Sequence, residues 1–127
     1  MAFTGKYEME SQENFEQFMK IAGLPDDLIE RGKDLKSITE IQQNGNTFKI
    51  VVTTGAHVIT NNFTIGEEAE FEMINLEKVR AVANLEGGNK LVVVLKGVTT
   101  ISELSGDKLI DTVSAGGVTY KRISKRV

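Results

Sequence analysis

Little in this chain can make or break a covalent bond. Its 127 residues include no cysteine and one histidine, His57. That removes thiolate nucleophiles, disulfide frameworks and cysteine-based zinc sites. A single histidine without a second one or a cysteine does not make a metal site. No serine has an evident base to activate it. The polar residues that strand alternation turns inward are Thr39, Asn61, Thr100, Ser102, Asp111, Arg122 and Ser124. Their chemistry is recognition. Arginine presents a planar fork of N–H donors that matches a carboxylate, and hydroxyl and amide groups can complete such a site. No catalytic residue, metal or cofactor is expected.

Charge narrows the partners. The formal net charge is −3, which disfavours nucleic acid. No apolar stretch approaches the roughly 18 residues needed to cross a bilayer, so stable membrane insertion is not expected. Met1 to Lys6 carry neither a basic leader nor an apolar run, so a cytoplasmic rather than secreted location is expected. Asn62-Phe63-Thr64 matches a glycosylation sequon and reads better as a stretch of strand.

The elements that must position the polar residues are announced by glycine. Beyond residue 36, turns fall at Gly45, Gly55, Gly66, Gly87-Gly88, Gly97, Gly106 and Gly116-Gly117. The spacing is close to ten, with one beat missing near Leu76. The intervening segments are rich in β-branched residues, as in Phe48 to Thr53 and Lys90 to Leu95. Short strands joined by glycine turns imply an antiparallel meander. Before it, a first strand runs from Gly5 to about Ser11. Asn14, with Gln17 three residues on, reads as a helix start. Phe15, Phe18, Met19 and Ala22 recur at helical spacing as a packing stripe, and Gly23 suits the stop. Pro25 opens a second helix to about Leu35, with Asp26 and Asp27 at its positive end. The expectation is one domain over residues 1–127, all-β: a ten-stranded antiparallel up-and-down β-barrel (a β-clam) capped by a helix-turn-helix at about 14–35.

Turn geometry then assigns partners. A Gly116-Gly117 turn sets Asp111 opposite Arg122 and Leu109 opposite Ser124. A Gly55-Ala56 turn sets Ile50 opposite Asn61. A Ser105-Gly106 turn sets Thr100 opposite Asp111, and an Asn44-Gly45 turn sets Thr39 opposite Ile50. Lys121 and Lys125 belong outside, which turns Arg122 and Ser124 inward. Glu68, Glu70 and Glu72 share a solvated face, which turns Ala69, Phe71 and Met73 inward. The interior thus mixes apolar Ile41, Phe48, Ile50, Phe63, Leu91, Val93 and Leu95 with the polar set above, and inward Ala81 and Ala83 leave volume. Unpaired buried polar groups cost roughly 1–3 kcal/mol each, so a dry core is a poor home for them. An apolar chamber with fixed polar anchors is the better reading.

These residues resemble the intracellular lipid-binding proteins, in the liver-type fatty-acid-binding and bile-acid-binding branch. The resemblance spans the chain and is carried by Gly5-Lys6-Tyr7, Ser11 to Phe15, Gly23-Leu24-Pro25, Thr39-Glu40-Ile41, Phe63 to Glu68 and Lys121 to Arg126. It implies a non-enzymatic, monomeric carrier of long-chain fatty acids, with up to two per barrel. The alternatives are a bile-acid carrier, or a ligand-delivery module that contacts a nuclear receptor or a lipid enzyme. By the same resemblance, Arg122 and Ser124 anchor an inner carboxylate with help from Thr39, and a portal is formed by Leu28, Arg31, Ala56, His57 and Ile74. Three positions depart from the pattern. Ala56 stands where the liver type offers a hydroxyl, Asp111 replaces an amide, and Leu76 lies where glycine is expected. The expected ligand contacts are Thr39, Ile41, Phe48, Ile50, Asn61, Phe63, Met73, Leu91, Val93, Thr100, Ser102, Asp111, Arg122 and Ser124. The helix pair carries more acid than base, which favours ligand transfer through water over docking on an anionic membrane.

Overall fold

The computed structural model describes residues 3–73 and 77–127. The chain runs β1 (Gly5–Glu13), α1 (Phe15–Ile21), α2 (Asp26–Gly32), β2 (Ser37–Asn44), β3 (Thr47–Thr54), β4 (His57–Thr64), β5 (Glu68–Glu72), β6 (Lys78–Glu86), β7 (Lys90–Leu95), β8 (Val98–Ser105), β9 (Lys108–Ala115) and β10 (Val118–Arg126). The strand order is β4-β3-β2-β1-β10-β9-β8-β7-β6-β5. Every hydrogen-bonded neighbour pair is antiparallel. The meander therefore closes through β1, which pairs with β10 on one side and β2 on the other. Among the described residues, only the seam between β4 and β5 lacks a ladder. The Asn61 amide spans it: the Glu72 backbone N–H donates to Asn61 Oδ1 at 2.8 Å, and Asn61 Nδ2 donates to the Glu72 carbonyl at 3.4 Å.

β1 extends two residues past its expected end, to Glu13, and carries a register shift between Met9 and Ser11. One extra residue there bends the strand, as a β-bulge does, and lets it serve both neighbours. The turns correct two partner assignments. Asn44 pairs with Thr47 and Ser105 with Lys108, so the turns are Gly45-Asn46 and Gly106-Asp107. Gly45 and Gly106 lie at φ 60 and 62, and neither Asn46 nor Asp107 has positive φ. Glycine at the first central position is the type II′ arrangement. As a result Thr39 faces Val52, Ile41 faces Ile50, Ser102 faces Asp111 and Thr100 faces Val113. The Gly116-Gly117 and Gly55-Ala56 assignments hold, including Asp111 opposite Arg122 and Ile50 opposite Asn61.

The helix pair sits where the sequence puts it, with different end chemistry. Asn14 adopts φ 63 and makes no side-chain cap. Its Nδ2 instead donates to the Thr119 carbonyl at 2.9 Å, tying the helix entry to β10. At the other end of α1, Leu24 N–H bonds the Met19 carbonyl and Gly23 N–H the Lys20 carbonyl. That is the Schellman pattern, with Gly23 at φ 87. α2 ends at Gly32, short of Leu35.

Two apolar clusters stop the two ends. Phe3, Tyr7, Phe48, Phe63, Phe71, Ala81, Ala83 and Leu109 are among the buried residues that fill one end. Phe48 and Phe63 stack at 5.3 Å and Phe63 meets Phe71 at 5.1 Å. At the other end, Phe18 and Met19 of α1 and Ile29 of α2 pack with Tyr120. Each such apolar side chain contributes roughly 1.5–3 kcal/mol on burial. Polar ties support the cap: Tyr120 donates to Gln12 Oε1 at 2.8 Å, and Gln12 Nε2 donates to the Lys33 carbonyl at 3.1 Å.

Candidate functional site

Between the two clusters lies a cavity of about 560 Å³, within the range of small-molecule sites. Its walls are the inward faces of the strands. Ile41, Ile50, Phe63, Leu91 and Val93 supply apolar surface, and Thr39, Asn61, Thr100, Ser102, Asp111 and Arg122 supply the polar layer. Met73 also lines it. Two expected contacts lie elsewhere. Phe48 is completely buried in the end cluster between Phe3 and Phe63. Ser124 is completely buried in the wall rather than on the cavity surface. Ala81 and Ala83 likewise pack in the end cluster and add no chamber volume.

The polar layer is built around one ion pair. Arg122 Nε and Nη2 both donate to Asp111 Oδ2, at 3.2 and 3.1 Å. Ser102 Oγ donates to Asp111 Oδ1 at 2.7 Å. Burial works against the Arg122 charge, and the carboxylate of Asp111, with Tyr120 beside it, outweighs that penalty and holds the guanidinium above its ordinary pKa. Burial raises the pKa of the Tyr120 hydroxyl, with Arg122 opposing and Asp111 reinforcing the shift. The Thr39 and Ser124 hydroxyls are buried without a hydrogen-bond partner among the described residues. Such groups are expensive unless something satisfies them.

Leu28 and Arg31 are exposed on α2, and Ala56 and His57 are exposed at the β3–β4 turn; none of the four lines the cavity. Ile74 and Leu76 lie outside the described residues. The cap side of the cavity is lined by Phe18 and Ile21 of α1 and the following Ala22, by Glu72 and Glu77, by Lys96-Gly97-Val98 and by Ala115-Gly116. Glu72 was expected on the solvated face. It is the last residue of β5, half-buried, and its backbone is held by Asn61 across the seam. Val52, Ile59 and Val113 also line the cavity and were not singled out from sequence. Alternation could have found them, since they share faces with Ile50, Asn61 and Asp111.

Among the described residues no group of three or more His, Cys, Asp or Glu is placed to hold a metal. Asp111 is committed to Arg122 and Ser102. The arrangement can therefore enclose an apolar chain and hydrogen-bond one polar head.

A model of the lipocalin / cytosolic fatty-acid binding protein family matches residues 1–127. The chain belongs to this family. Members are lipid-binding carriers, not enzymes. The liver fatty acid-binding protein 1 of Ambystoma mexicanum is 62% identical over 126 residues, covering 99% of this chain and 100% of that one. The liver fatty acid-binding protein of Sus scrofa is 54% identical over 127 residues, with both chains fully covered. Among solved structures, a zebrafish ileal bile acid-binding protein complexed with cholic acid superposes with a TM-score of 0.86 at 39% identity, again over both whole chains. The ten-stranded barrel with its helix pair is thus the family fold in this chain.

Proposed function

We propose that this protein is a cytoplasmic, non-enzymatic carrier that encloses long-chain fatty acids in its barrel, up to two at a time. The observation that carries the reading is the cavity itself: apolar walls meeting one arginine and the buried Thr39 hydroxyl, which has no hydrogen-bond partner among the described residues. In this reading Thr39 and Arg122 hold the inner head group, with Ser124 behind them in the wall, and Ile41, Ile50, Phe63, Leu91 and Val93 contact the chain. Entry is on the cap side, between α1 and the β7–β8 connection. Relatives named as liver fatty acid-binding proteins support the ligand class. A bile-acid carrier is the second reading, favoured by the likeness to the zebrafish protein that holds cholic acid.

Titration calorimetry on delipidated protein separates the two. Oleate is expected to bind saturably with a negative heat-capacity change, since apolar surface leaves water. Absence of oleate binding by folded protein overturns the fatty-acid reading, and a clear preference for glycocholate promotes the bile-acid one. Native mass spectrometry of the loaded protein counts the ligands.

A further inference from the structure

The anchoring arginine is not an unmatched cation. Both of its bonds to Asp111 fall on one oxygen, Oδ2, while Ser102 holds the other, so guanidinium and carboxylate form a charge-neutral pair on the cavity lining. Their side chains are only 14% and 10% exposed, so water screens them little. The other cation of the described lining is Lys96, at the β7–β8 turn on the cap side. Tyr120, the inward neighbour of Arg122 on β10, gives its hydroxyl proton to Gln12.

An incoming carboxylate would share one cation with Asp111, and two acids on one buried cation repel. A hydroxyl meets no such conflict. It can donate to the Asp111 carboxylate and accept from Arg122, whereas an ionised carboxylate only accepts. The buried Thr39 hydroxyl, on the cavity lining, can act as donor or acceptor toward either.

We propose that Asp111 sets the head-group selectivity of this cavity, making its inner end prefer a neutral, hydroxyl-bearing head on a single acyl chain, as in a fatty alcohol or a monoacylglycerol, over the carboxylate of the same chain. The proposal rests on the carrier reading above and names the ligand that the same site takes best. Oleate still binds through its chain, but less tightly than its alcohol.

The test compares oleyl alcohol with oleate, by displacement of a fluorescent lipid from delipidated wild-type and Asp111→Asn proteins at matched neutral pH and salt. Oleyl alcohol is expected to bind the wild type about 10-fold more tightly than oleate. Asp111→Asn is expected to tighten oleate by about 10-fold and to move oleyl alcohol by less than about 3-fold, because it removes an acid and keeps the shape. Tighter binding of oleate than of oleyl alcohol by the wild type, or an unchanged ratio in the variant, overturns the selectivity while leaving the carrier reading intact. Failure of the folded wild type to bind either lipid overturns both. If the variant does not fold, the wild-type ratio alone decides.

Discussion

Arg122 and Asp111 face one another because a two-glycine turn five residues from each leaves no choice of partner. Gly116 and Gly117 lie at φ 55 and 78, both in the left-handed region that a type I′ turn requires and that glycine enters without strain. The pair was therefore legible before any tertiary contact was known. Its environment was not: the capture of Asp111 Oδ1 by Ser102 came only with the true β8–β9 turn. Arg122→Ala is expected to destabilise the protein by about 3 kcal/mol, because it leaves the Asp111 charge buried without its counter-ion. That is the low end for a broken buried pair, as the cavity gives the carboxylate some access to water. Urea unfolding of wild type, Arg122→Ala and an Arg122→Ala, Asp111→Ala double variant measures it, and the double variant is expected to recover part of the loss.

At the scale of elements, the seam between β4 and β5 is where the barrel wall is weakest. Backbone hydrogen bonds join every other neighbouring pair, whereas here a side chain reaches across. Nothing in the local sequence marks Asn61 for that task. Its inward direction follows from strand alternation, but the identity of the strand opposite depends on how the whole sheet curls. Asn61→Ala is expected to free the Glu72 amide and speed its hydrogen exchange, since removing the acceptor leaves that N–H without the bond and costs about 1–3 kcal/mol locally. Amides of β9 and β10, far from the seam in the strand order, are expected to exchange at the wild-type rate. The helix pair shows the same division of knowledge. Its apolar stripe was readable from spacing, and Phe18 and Met19 are indeed 4% and 1% exposed. The bond from Asn14 to Thr119 joins residues 105 apart in sequence, so the local capping pattern could not reveal it.

For the molecule as a whole, a barrel plugged at one end and capped at the other confines its ligand, so binding and folding are linked. A ligand that binds only the folded barrel adds about 2.7 kcal/mol at a hundredfold excess over its Kd, which for a chain of this size raises Tm by roughly 8–15 °C. Scanning calorimetry of delipidated protein with and without oleate measures that rise; no shift would mean that oleate does not bind the native barrel. The sequence by itself determined the number of strands, the cap, and which residues turn inward, Glu72 at the end of β5 excepted. Glycine spacing set the first, helical periodicity the second, and strand alternation the third. The inward set survived two misplaced turns because moving a turn by one residue shifts cross-strand partners by two, and a two-residue shift keeps each side chain on its face. Tertiary structure alone decided depth. Phe48 and Ser124 point inward as expected, yet they lie in the end cluster and the wall, while Val52, Ile59 and Val113 stand at the cavity. Alternation reports which side of a sheet a residue occupies and says nothing of how far along the barrel axis it sits. That position follows from the closure of β1 on β10 and from the aromatic and helical plugs, contacts between residues distant in sequence, which no local pattern encodes.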